Sequence, residues 1–196
     1  MSWKERNLLL RVCKRNAKRN LNEGKRKWVV RHMLVHLAFN SGLRVSEIAA
    51  LKIENLQLNG KENYIHVMNG KGNRKRDIYI DYETAQKLKD YLKLKAAWGQ
   101  SVIRDAPLFS GRAGGHYTTT ALEISFKKAV LDSGLSSHYS IHSARHTYAT
   151  ILLSKTKNNI RFVQKQLGHA SIAMTSLYAD ILPEMNQVLA NSILNK

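Results

Sequence analysis

The chain has little of what would tie a fold together covalently or carry it into a membrane. A single cysteine, Cys13, leaves no intramolecular disulfide and no cysteine-built metal site. No stretch approaches the roughly 20 apolar residues a membrane span needs. The three-leucine run in MSWKERNLLLRVCKRNAKRN is too short for the apolar part of a signal peptide. Proline is scarce, and no linker rich in Pro or Ser divides the chain. Acids are the conspicuous deficit, with 14 Asp and Glu against 32 Lys and Arg, a net charge of +18. That imbalance says nothing about fold but favours a polyanionic partner, nucleic acid first and an anionic membrane surface second. What remains, 43% hydrophobic residues in 196, suits a folded chain with a sizeable core. The expected setting is soluble and intracellular.

The first thirty-one residues hold eleven Lys or Arg and two acids, half of the total excess. Leu9, Cys13, Ala17 and Leu21 recur every fourth residue, which predicts an amphipathic helix with a basic outer face. Ser2 and Glu5 form a capping box that would start it. A second helix is expected over 28–40, stopped at Ser41-Gly42, and a short one over 46–51. The period then changes. YIHVM (64–68) and RDIYI (76–80) read as strands joined by the glycine-containing NGKGNRK, with a third strand near 53–58. Asp81 caps a helix to about Ala97, and SVIRDAPLFSGRAGGHY reads as a loop. Further helices are expected over 118–133, 142–154, 159–167 and 171–180, with a last one from Pro183. The fold class is therefore α+β, mainly helical, with a small three-stranded antiparallel sheet.

Four stretches hold candidate chemistry. SGLRVSEIAAL sets Arg44 just after a helix stop, with Glu47 three residues on, a pairing more often structural than functional. NGKGNRKRDI places Lys71 at a hairpin tip, where it is either simply exposed or able to swing into a substrate. It is not a phosphate-binding loop of the strand-to-helix kind. In SIHSARHTYAT, His142 and Arg145 share one helix face. The His142/His146 spacing invites zinc, but no glutamate lies between them, no third ligand is evident, and Arg145 puts a cation on the same turn. A phosphate suits that pocket better. In LGHASIAMTSLYADIL, Gly168 ends a helix, so His169 projects from a turn, and Tyr178 follows nine residues later.

Taken together, GLRVSE, the GKGN hairpin, HSARHTYAT, LGHASI and the trailing tyrosine resemble the catalytic domain of the tyrosine recombinase (phage integrase) family. The resemblance runs from about Ser2 to about Leu182. It implies that Arg44 and Arg145 hold a DNA phosphate, that Lys71, His142 and His169 assist, that Glu47 supports Arg44, and that Tyr178 is the nucleophile. Ala144 departs from the pattern, where leucine is usual, and reads as a packing change beside Arg145. The implied enzyme is a site-specific recombinase that cleaves and rejoins DNA through a 3′-phosphotyrosyl intermediate, with no cofactor and no metal. Two alternatives stay open: a regulator that occupies recombination sites without cutting, and a type IB topoisomerase-like activity.

The resemblance also implies a catalytic domain over 1–196 without the N-terminal core-binding domain, and a helical tail over 183–196. That tail, amphipathic at Met185, Val188, Leu189 and Ile193, either folds back or docks on a neighbouring protomer. Double-stranded DNA and further protomers on DNA are the expected partners, with a monomer when free and no membrane. The expected location is the cytoplasm, associated with the nucleoid, in a prokaryote or encoded by a mobile element.

Overall fold

The computed structural model describes residues 1–58, 60–68, 75–111, 114–168 and 175. Its centre is a helix that the rest of the chain wraps. Helix α2 (Lys27–Ser41) is buried along most of its length, from Trp28 through Phe39. Helices α1 (Trp3–Asn22), α4 (Tyr82–Ala97), α5 (Thr119–Asp132) and α6 (Ile141–Lys155) pack around it. The short α3 (Val45–Ala50) follows α2 directly, and α7 (Ile160–Leu167) lies against α6 and the sheet. Among the described residues no helix is long and apolar enough to cross a membrane.

Local signals set most of the element ends. Ser2 Oγ accepts from the Glu5 amide, and the Glu5 carboxylate accepts from the Ser2 amide at 2.8 Å, so two otherwise unpaired helix-end donors are satisfied. Asp81 and Asn159 accept from the Thr84 and Phe162 amides and start α4 and α7. Gly42 and Gly168 close α2 and α7 in the left-handed region, with φ of 62° and 64°. One part of the predicted α1 stripe fails. Leu21 is 44% exposed, while Asn20 is buried and its Oδ1 accepts from the Trp28 amide at 3.1 Å. A repeat of four runs ahead of the helical period of about 3.6, so by the third step the position has rotated off the core.

The sheet is three-stranded and antiparallel in the order β1 (Leu56–Gln57), β2 (Tyr64–Val67), β3 (Arg76–Tyr79). Leu56 faces Ile65, which faces Ile78, and this row points into the core. The expected third strand is shorter than 53–58 because Ile53–Asn55 forms a 3-10 turn, held by Asn55 Oδ1 accepting from the Lys52 amide at 2.8 Å. The segment 101–117 is a loop, yet Leu108 and Phe109 are buried in it. The Leu108 amide donates to Leu51 O at 2.8 Å, which fixes the loop against the end of α3. The helices expected over 171–180 and from Pro183 lie outside the described residues, Thr175 excepted.

Candidate active site

The site begins where α2 stops. The left-handed turn at Gly42 sends the chain into Leu43 and Arg44, and Arg44 becomes the N-cap of α3. Glu47, at the third position of that helix, accepts from the Arg44 amide at 2.8 Å and from Arg44 Nη1 at 2.9 Å. A carboxylate is well placed there, because the helix N-terminus presents unpaired N–H groups and a partial positive charge. Glu47 also receives a bidentate pair from Arg76 on β3, Nη1 to Oε1 and Nη2 to Oε2, both at 2.9 Å. With 3% of its side chain exposed, Glu47 is buried between two guanidinium groups. Burial pushes its carboxyl up, but the Arg76 and Arg44 hydrogen bonds and charges outweigh that and hold it below its ordinary value.

Arg145 comes from the opposite side, on the inward face of α6, with 8% of the residue exposed. Its Nη1 donates to Gly42 O and its Nη2 to Leu167 O at 2.7 Å. Arg44 Nη2 donates to the next carbonyl, Gly168 O, at 3.2 Å, and Arg76 Nε donates to Gln166 O at 3.3 Å. Three guanidinium groups thus meet the last carbonyls of α7, the end of a helix where unpaired acceptors and a partial negative charge favour cations. A guanidinium stays charged when buried, so the cluster gathers fixed positive charge at this point, of the sign an anion's oxygens need.

The packing leaves no slack around this point. A Cβ on Gly42 would lie against the Tyr148 ring, 2.7 Å from Cε1, and 2.9 Å from Leu167 Cδ2. Tyr148, Ala149, Leu153, Val163 and Leu167 form a small apolar cluster joining α6 to α7 behind Arg145. Burial pushes the Tyr148 phenol up to about 12, so it is neutral in the fold. Ala144 is fully buried next to Arg145, as a packing position would be. His142 stands exposed in the first turn of α6. His146, one turn on, is also exposed and lines an apolar groove with Trp3, Thr147 and Ile151; partial burial and the charges of Arg145 and His142 lower its pKa.

The structure therefore brings Arg44, Glu47 and Arg145 together and puts His142 on the same helix as Arg145. Lys71, His169 and Tyr178 lie outside the described residues. Arg76 is the participant that the motifs did not single out. RDIYI alternates, and Arg76 shares the inward face with the buried Ile78; an inward cation needs a carboxylate, and that was the available signal.

Residues 4–185 match the Phage integrase family. The tyrosine recombinase XerC of Pseudomonas aeruginosa (strain LESB58) is 36% identical over 148 residues, covering 76% of this chain and 46% of that protein. XerC of Neisseria meningitidis (strain MC58) is 34% identical over 150 residues, 76% of this chain and 47% of its own. The chain thus spans about half the length of these relatives. Among solved structures, XerA recombinase superposes with a TM-score of 0.77 at 26% identity, over 98% of this chain and 64% of that one. XerH bound to difH superposes at 0.73 and 22% identity, over 91% of this chain and 49% of that one, a likeness of fold. The helical core and the three-stranded sheet agree with these matches, and the chain belongs to the phage integrase family of tyrosine recombinases.

Proposed function

We propose that the chain is the catalytic part of a site-specific DNA recombinase that cleaves and rejoins strands through a tyrosine. The observation that carries this reading is the convergence of Arg44 and Arg145, from two different helices, on the carbonyls of Leu167 and Gly168. Both groups are thereby aimed at the chain just before His169, and Tyr178 follows within ten residues.

The chemistry accounts for the residue types. Attack on a phosphodiester builds negative charge on the non-bridging oxygens, which the guanidinium groups of Arg44 and Arg145 neutralise, with His169 adding a hydrogen bond. The Tyr178 oxygen attacks phosphorus, His142 takes the phenolic proton, and the P–O bond to the 5′-oxygen breaks. Lys71 gives that oxygen its proton. The products are a 3′-phosphotyrosyl ester and a free 5′-hydroxyl, and the reverse reaction rejoins a strand. Bond exchange conserves the ester, so no cofactor is required. Glu47 holds Arg44 in place.

The net charge of +18 suits double-stranded DNA as the partner. Residues 183–196 would contact a further protomer on DNA, the free chain being a monomer. The domain reading is one catalytic unit over 1–196 with that helical tail, cytoplasmic and nucleoid-associated in a prokaryote or encoded by a mobile element. The relatives named above are recombinases, and nothing among them favours the topoisomerase or the non-cutting regulator.

A nicked suicide duplex, whose cut end diffuses away, tests the reading. Wild type should accumulate a protein–DNA adduct that survives detergent. Arg44→Ala or Arg145→Ala should slow its formation about 10²–10³-fold. Absence of adduct with every recombination-site duplex tried would favour the non-cutting regulator. Relaxation of plasmids without any target site would favour the topoisomerase.

A further inference from the structure

Arg76 is a buried, multiply bonded cation near the site, and none of the roles above uses it. Its side chain is 9% exposed. It spans three separate pieces of the chain: β3, on which it sits, the Glu47 carboxylate on α3, and the Gln166 carbonyl at the end of α7. Both terminal nitrogens donate to Glu47, one to each carboxylate oxygen, so the guanidinium fork faces that carboxylate. The end of α7 is shaped around it. A Cβ on Gly168 would lie 2.7 Å from Arg76 Nε and 2.8 Å from its Cζ, so the left-handed glycine that stops α7 is also what lets the guanidinium in.

Along the chain these contacts are close to the proposed chemistry. Arg76 lies five residues after Lys71, on the strand that leads out of its hairpin, and Gly168 immediately precedes His169. Glu47 in turn holds the Nη1 of Arg44. One guanidinium therefore fixes the roots of three arms at once.

We propose that Arg76 is a positioning residue for strand cleavage, a strut that sets Arg44, through Glu47, and the ends of the Lys71 hairpin and of α7 in register with one another. It touches no substrate. The inference rests on the strand-transfer reading for its effect on rate, while its structural half is independent of that reading. A lysine keeps the charge but offers no planar fork to Glu47 and no second bond to Gln166, so the strut is lost without removing the cation.

The test uses the full chain and two readouts. Arg76→Lys should slow single-turnover cleavage of a nicked suicide duplex about 10²-fold at saturating DNA, with Kd for the intact duplex unchanged within about threefold. The acidic limb of the rate should move to higher pH, because Glu47 loses the paired Arg76 hydrogen bonds that help keep it ionised. Hydrogen exchange of the 166–168 amides should accelerate about tenfold while that of α1 and α5 stays as in wild type. Weaker DNA binding with an unchanged saturated rate would make Arg76 a phosphate contact and overturn the proposal, as would wild-type rate and wild-type exchange together. Should wild type itself form no adduct, the strand-transfer reading fails and the exchange result alone judges the strut. Arg76→Met and Glu47→Gln/Arg76→Met serve as further variants. Loss of folded protein in all three would assign Arg76 to stability alone and also overturn the role.

Discussion

Helix α2 carries one buried polar site along its length and leads into another at its C-terminal end, and the two handle burial in opposite ways. Midway along, His36 Nε2 meets Thr84 Oγ1 at 3.1 Å, with His32 packed one turn before it. Burial and the nearby Lys87 lower both imidazoles to about 4, so they are neutral at physiological pH. At the C-terminal end, Glu47 is buried as deeply but stays ionised because Arg76 and Arg44 grip it. A buried group with one neutral partner gives up its charge; a buried group with two fixed cations keeps it. The first arrangement only fills the core. The second keeps fixed charge inside the fold, where α3, β3 and the end of α7 meet.

Breaking the ionised site should cost most. Glu47→Ala leaves Arg76 buried beside Arg44 with no carboxylate, and should destabilise the fold by about 3–5 kcal/mol in a denaturant titration. Gly42→Ala comes next. It forces a Cβ into the Tyr148 ring at a backbone angle that alanine resists, for an expected loss of about 2–4 kcal/mol by the same measurement.

The pH dependence sharpens the contrast. His32 and His36 bind protons in the unfolded chain below about 6.5 but in the fold only near 4, so stability should fall as pH drops through that window and level off below it. The His36 share is up to about 3 kcal/mol, and His36→Gln should flatten the slope. Glu47, whose folded value is depressed from 4.5, acts in a lower window. Its contribution is full above about 4.5 and is lost as pH falls through the folded value, so Glu47→Gln should lower stability across the range above 4.5 and remove the slope only in that low window. The smallest effect belongs to exposed pairs. Removing Lys25, which reaches Glu23 on the surface at 2.9 Å, should leave the denaturation midpoint as in wild type within measurement error.

The legible part of the fold was the local part. Ser2 with Glu5, Asp81 and Gly42 each act within one turn of chain, and each marked its element end within a residue or two. Strands 64–67 and 76–79 showed their alternation plainly. Leu21 was misassigned because a four-residue repeat only approximates a helix. Of the site, Arg44, Glu47 and Arg145 were visible as types in motifs, but what joins them was not. The bonds from Arg145 to Gly42 and Leu167, and from Arg76 to Glu47, span between 22 and 103 residues, and backbone carbonyls leave no mark in a sequence. Arg76 also follows Arg74 and Lys75, so nothing but its strand parity distinguished it.

The central claim is that one DNA phosphate lies between the guanidinium groups of Arg44 and Arg145 while the Tyr178 oxygen takes its phosphorus. Protease digestion of the trapped suicide-substrate adduct, followed by mass spectrometry, tests it most directly. The account predicts a nucleotide remnant on the peptide containing Tyr178 and no adduct from Tyr178→Phe. A remnant on any other residue, or an undiminished adduct from Tyr178→Phe, would contradict it.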